Sequence, residues 1–225
     1  MSQNDAILQT IRTRLFSAVI GDVLDAQGYV HQFLPPEIRA LRSDMVAVGR
    51  AMTVLEADCA GDSLGHSGES APFGLMFRAL DELQPDEIYI CTGASPRYSL
   101  WGELMSTRAR TLQAAGAILD GFHRDTRGVL EQGLPVFSRG AYAQDQRVRG
   151  RVIDFRCPLE FPNGARVRPG DIVVGDLDGV VAIPKEIEED VVRLALEKVA
   201  AEAEIQRQLL DGVSTQDVFA KTGIM

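Results

Sequence analysis

Apolar and polar positions follow a helical period at both ends of the chain and a strand period between them. Residues 5–16 and 18–27 predict two helices, the second with Ser17 placed to cap its start and Gly28 at its end, where glycine readily turns left-handed. Pro35 and Pro36 interrupt regular structure. Met45 to Glu56 alternates as a strand does, and Glu87–Cys91, Ala117–Asp120 and Pro135–Ser138 are short β-prone runs with helical stretches between them, one at 103–115. After residue 147 the spacing tightens around turns at Pro162-Asn163-Gly164, Pro169-Gly170 and Asp178-Gly179, which predict hairpins. Pro184 to Leu210 holds no glycine and no internal proline, so it predicts a helix about 40 Å long, more than one small domain spans. Its apolar positions, Ile187, Val191, Leu194, Val199 and Ile205, give it one packing face, and its far end is expected to meet another subunit. No repeat or linker divides the pattern. It predicts a single α/β domain over residues 1–225, with N-terminal helices within 5–27 and an oligomerisation helix at 185–211.

Composition narrows the function. The chain has 225 residues, 45% of them hydrophobic and 24% charged, the make-up of a globular protein with one substantial core. A net charge of -9 argues against nucleic acid or an anionic membrane as partner. No run of about 18 apolar residues occurs and the N-terminus carries charges where a signal peptide is apolar, so a cytoplasmic protein is expected. Cys59, Cys91 and Cys157 are too dispersed for a disulfide framework or a Cys-x-x-Cys metal site and are expected as buried thiols. Of the 23 basic residues only Lys185, Lys198 and Lys221 are lysines, all near the C-terminus, which argues against a Schiff base. The histidines are His31, His66 and His123, and no Gly-x-Ser-x-Gly elbow is present. Chemistry must then rest on carboxylates, arginine, backbone amides or a metal.

Two stretches fit that requirement. Gly102-Glu103-Leu104-Met105 opens the helix expected at 103–115, where free N–H groups and a partial positive charge suit a carboxylate ligand and Gly102 allows close approach. Ala117–Asp120, as a parallel strand, would carry Arg124 and Asp125 to the loop at its carboxyl end, where ligands of open α/β sheets bind. Arg124 offers a permanent cation for a developing oxyanion, and Asp125 a hard oxygen for Mg²⁺ or Mn²⁺. The same residues also suit a surface salt bridge or a helix cap, and Glu103 a first-turn acid. Asp58, Asp62 and His66 recur every four residues, but glycines at 61, 65 and 68 favour a polar loop over a zinc site. Asp176-Leu177-Asp178-Gly179 reads as a hairpin turn, and His123 as a hydrogen-bonding neighbour of Arg124.

Gly102-Glu103-Leu104-Met105, Asp120-Gly121-Phe122-His123-Arg124-Asp125, Leu134-Pro135-Val136-Phe137, Pro169-Gly170-Asp171 and Gly175 to Pro184 together resemble the RraA-like family, and the likeness begins at Ser17-Ala18-Val19-Ile20-Gly21-Asp22. That family includes the regulator of ribonuclease E activity and divalent-metal pyruvate aldolases. The resemblance implies an α/β/α sandwich of the swivelling phosphohistidine-domain type with a long C-terminal helix, assembled as a homotrimer or hexamer with sites between subunits. It implies Asp125 as the metal carboxylate, with Mg²⁺ or Mn²⁺ as cofactor, and Arg124 against the substrate keto oxygen. The amides of Leu104 and Met105, after Gly102, would hold the pyruvyl carboxylate, and Glu103 would handle a proton through water. Glu202, or next to it Glu204, would reach the neighbouring subunit's site. The aspartate after the arginine favours the enzyme branch: retro-aldol cleavage of a 4-hydroxy-2-keto acid of the 4-hydroxy-4-methyl-2-oxoglutarate or 4-carboxy-4-hydroxy-2-oxoadipate type, with oxaloacetate decarboxylation alongside. The alternatives are a non-catalytic regulator of a ribonuclease or another protein, or a lyase for another sugar- or aromatic-derived keto acid. Thr92 to Arg97 has fewer glycines than the family pattern and Gly65 to Pro72 departs from it, which bears on substrate choice. No Gly-x-Gly-x-x-Gly loop supports a methyltransferase.

Overall fold

The computed structural model describes residues 3–64 and 67–223, so Gly65 and His66 lie outside the described residues. Two helices open the chain, α1 (Gln3–Arg14) and α2 (Ser17–Ala26). Ile20, Val23 and Leu24 are buried, the i, i+3, i+4 stripe of a helix packed on one side. Ser17 does not cap α2 with its own side chain. Its N–H and its hydroxyl both donate to the Asp176 carboxylate at 2.6 Å, so the cap comes from a residue 159 positions away. Gly28 closes the helix at φ 86°.

The sheet follows: β1 (Arg39–Ala40), β2 (Ala47–Asp58), then α3 (Met76–Asp81), β3 (Glu87–Thr92), β4 (Ser99–Trp101), α4 (Glu103–Thr111), β5 (Gly116–Leu119), β6 (Phe122–His123), α5 (Thr126–Gln132) and β7 (Val136–Ser138). A β-rich half adds β8 (Gly150–Phe155), β9 (Leu159–Glu160), β10 (Arg166–Val167), β11 (Ile172–Gly175) and β12 (Val180–Ile183). A 3-10 turn at Lys185–Ile187 leads into α6 (Glu188–Leu210), and α7 (Thr215–Thr222) ends the described chain. The main sheet runs β1-β7-β5-β3-β2-β11-β12, with β8 also paired to β2. Pairs β2–β3, β3–β5 and β5–β7 are parallel, so the carboxyl ends of four strands lie on one side.

Helices cover the outer face of the curled sheet in two groups, as a mixed α/β fold with a long C-terminal helix requires. α3, α4 and α5 pack around Met52, Val54, Tyr89, Leu119 and Val136, while α1, α2 and α6 cover Val48, Ile172, Val174, Val181 and Ile183. On the inner face Leu159, Phe161 and Val167 close over Ile88, Ile90 and Ile118. The sheet curls so far that a Cβ on Gly175 of β11 would meet the Phe137 ring of β7 at 2.9 Å. β2 is buried on both faces along most of its length rather than alternating, as a central covered strand must be.

Three expectations change in detail. α4 ends at Thr111, not 115, because Gln113 turns left-handed at φ 62°. α6 is 23 residues, its first expected turn being the tighter 3-10 segment. Only Cys91 is a fully buried thiol; Cys59 and Cys157 are half-buried. Among the described residues no helix is long and apolar enough to cross a membrane.

Candidate active site

The site is assembled by two short parallel strands. β4 pairs with β6, Trp101 opposite His123, and the Arg124 N–H donates to the Trp101 carbonyl at 2.9 Å. This sets the first turn of α4 beside the first turn of α5. A Cβ on Gly102 would lie 2.7 Å from Asp125 Oδ2 and 3.5 Å from Arg124 Cγ, so glycine is required here by proximity. Gly102 has no side chain to cap α4, which leaves that helix start without a side-chain partner. Leu104 is exposed beside it, Met105 packs on the core, and the Glu103 carboxylate rests against Gly128 in the first turn of α5.

Asp125 precedes α5 in a left-handed conformation, φ 55° and ψ 37°, with no side-chain capping bond. Such conformations cost energy for a residue with a Cβ and gather at functional sites. Its carboxylate is 3.6 Å from Arg124 Nε, while Arg124 Nη1 is 2.9 Å from Asp145 Oδ1. A cleft of about 250 Å³ opens here, lined by Arg124, Asp125, Thr126, Ala141, Tyr142 and Ala143. Beneath it His123 Nδ1 meets Ser138 Oγ at 2.8 Å and Nε2 meets Thr126 Oγ1 at 3.0 Å. Burial lowers the His123 pKa, which suits a neutral strut rather than a base. Asp120 accepts from Thr92 Oγ1 at 2.6 Å and from Arg139 Nε at 2.7 Å, tying together the carboxyl ends of β3, β5 and β7.

Residues 17–182 match the family described as RraA-like, Aldolase/RraA. The chain belongs to the RraA-like family. Over 219 residues it is 31% identical to a protein of Halalkalibacterium halodurans provisionally named as a 4-hydroxy-4-methyl-2-oxoglutarate aldolase, covering 95% of this chain and 93% of that one. Its fold is similar to an uncharacterised protein of Pseudomonas syringae pv. tomato, with TM-score 0.79, 23% identity and 95% and 96% of the two chains covered. It is also similar to RraAS2 of Streptomyces coelicolor, described as an unusual member of the RNase ES inhibitor RraA family, at TM-score 0.78 and 22% identity over 92% and 98%.

Other expected residues of this RraA-like chain lie elsewhere. Glu202 pairs with Lys198 at 3.1 Å, and Lys198 reaches Asp22 of α2; Glu204 pairs with Arg207 and Gln208. Within one chain neither glutamate lines the Arg124 cleft. Asp58 and Asp62 lie at the end of β2 and in the following loop, not along a helix. Partial burial would raise the Asp58 carboxyl, but hydrogen bonds from Ser95 N–H, Tyr98 hydroxyl and Arg97 outweigh it and hold it well below the usual range. Asp62 pairs with Arg147 at 2.9 Å. A larger hollow of about 1040 Å³ between α1 and α6 shares no residue with the Arg124 cleft, and its Arg50 is paired with Glu188.

Asp145 was not visible in the sequence, since it lies in a loop without a motif and matters only through Arg124. Among the described residues no three His, Cys, Asp or Glu side chains gather into a metal cage. An ion here must rest on few protein oxygens, as Mg²⁺ commonly does, keeping waters and taking oxygens from its ligand. The uncapped, half-exposed Asp125 carboxylate fits that donor set.

Proposed function

We propose that this RraA-like protein is a divalent-metal-dependent lyase that cleaves a 4-hydroxy-2-keto acid by a retro-aldol reaction to pyruvate, with oxaloacetate decarboxylation as a companion activity. The supporting observation is that Gly102, at the start of α4, lies directly against Arg124 and Asp125, which line the cleft. Asp125 would hold Mg²⁺ or Mn²⁺, which supplies an electron sink for a chelated 2-keto acid. The start of α4 binds the substrate carboxylate, and the extended backbone at Gly102 lets it come close. Arg124, held by Asp145, shares the negative charge that grows on the keto oxygen as the C3–C4 bond breaks. Glu103 of α4, whose carboxylate rests against Gly128 three residues after Asp125, takes the C4 hydroxyl proton through water. Assembly as a homotrimer or hexamer would bring Glu202 of a second copy to the same cleft. The 4-hydroxy-4-methyl-2-oxoglutarate type of substrate is favoured by the Halalkalibacterium halodurans relative.

Pyruvate release tests this reading. Arg124→Ala should lower kcat by about 10²- to 10³-fold with an unchanged melting temperature. EDTA should abolish turnover and added Mg²⁺ restore it in wild type, whereas Asp125→Asn should respond weakly to added metal. Full turnover in EDTA would sink the proposal. A regulator working through its acidic surface would instead keep its effect on RNA decay when Arg124 is replaced.

A further inference from the structure

β2 breaks register with β8 near its carboxyl end: Leu55 pairs with Asp154 and Glu56 with Val152, leaving Ile153 as the extra residue of a bulge. Bulges re-aim side chains. The one at issue is Glu56, which is 2% exposed and lies on the same face of β2 as Val54, inside the core shared with α3 and α4. Its Oε2 accepts a hydrogen bond from the buried Gln146 amide at 2.7 Å. Its Oε1 has no partner among the described residues, and neither has the buried Tyr89 hydroxyl nearby. A buried carboxyl kept so incompletely satisfied is costly, and such groups call for a functional account.

The cost secures one short segment. Gln144 accepts two hydrogen bonds at its carbonyl from Ser99, backbone and hydroxyl, both 2.8 Å, at the start of β4. Asp145 holds Arg124 at 2.9 Å. Gln146 is held by Glu56, and its carbonyl accepts from the N–H groups of Arg149 and Gly150. Three successive residues thus tie β4, the catalytic arginine and β2 together. We infer that Glu56 is a positioning residue for Arg124: through Gln146 it fixes the 144–146 segment and so the angle at which Asp145 presents the guanidinium to the cleft. The kinetic consequence rests on the lyase reading; the structural one does not.

Burial pushes the Glu56 carboxyl up to about 8, the Gln146 hydrogen bond opposing it only in part. Around it stand Tyr89 and Cys91 of β3 and Tyr98 before β4, all raised by burial and by nearby acids, so they stay neutral. Asp58, Cys59 and Asp120 lie beyond them. Arg151 of β8 pairs with Ala57, on the opposite face, and donates to the carbonyls of Gly61 and Ser63. No cation among the described residues shifts Glu56. Below its pKa the side chain is a neutral acid. Above it, the bond from Gln146 strengthens, but an uncompensated charge stands in the core, and the segment must shift to let water reach it.

Trp101, the single tryptophan, reports this directly, because its ring is 5.0 Å from Tyr89 and it immediately precedes Gly102. Its emission should change with a midpoint near pH 8 in wild type and stay flat in Glu56→Gln, which keeps the acceptor for Gln146 but cannot ionise. In parallel, wild-type kcat should fall through the same pH range with KM little changed, and Glu56→Gln should keep its kcat there. Glu56→Leu should lose about tenfold or more in kcat, since a loosened guanidinium is misplaced. The double variant Glu56→Leu with Gln146→Leu should regain stability, because both polar partners are gone, without regaining kcat. An unchanged Trp101 transition in Glu56→Gln, or a double variant that recovers kcat along with its melting temperature, would overturn the inference. The emission titration needs no turnover, so a chain that releases no pyruvate would remove the lyase reading and leave Trp101 to decide this one.

Discussion

A methyl group at position 102 would meet the Asp125 carboxylate and crowd Arg124, although the backbone there, φ -153° and ψ -174°, accepts any residue. Gly102→Ala should therefore fold normally and fail at the site. Its melting temperature should match wild type, while kcat/KM falls by about 10²-fold, the loss expected when reacting groups are displaced by an ångström or so. Gly128→Ala is the companion experiment. Its Cβ would meet the flexible end of Glu103, so the carboxylate swings away and kcat should drop to the level of Glu103→Gln. A Gly102→Ala enzyme with wild-type kinetics would show that nothing binds between residue 102 and the Arg124–Asp125 pair.

Between elements, a long-range contact at the N-terminus is the cap that Asp176 supplies to α2 through Ser17. Asp176→Ala should cost about 1 kcal/mol in chemical denaturation, the typical worth of a lost N-cap. Ser17→Ala should cost less, because its N–H keeps the contact. Helices α1, α2, α4 and α6, β2 and the β-rich second half were legible in the sequence, since each rests on a local period or on turn residues such as Asp178-Gly179, whereas the short α7 was not. β4 and β6 were not. Three and two residues carry no periodicity, and their pairing depends on chain segments far apart in sequence. The same limit hid Asp145 and the Glu56–Gln146 contact, which exist only once loop and strand meet. Gly102, Arg124 and Asp125 could be singled out from residue chemistry and resemblance, but their approach to one another is a product of that unpredicted pairing.

At the scale of the molecule, a curled mixed sheet gathers the carboxyl ends of its parallel strands on one side, and the Arg124 cleft opens between the loops that follow β6 and β7. Leu210, the last residue of α6, is 82% exposed, and Phe219 of α7 is exposed as well. The most direct test is a crystal structure with Mn²⁺ and oxalate, using the anomalous signal of manganese to locate the ion. The account predicts the ion on the Asp125 carboxylate and oxalate between the start of α4 and Arg124. Manganese in the hollow between α1 and α6, or oxalate away from both Gly102 and Arg124, would contradict it.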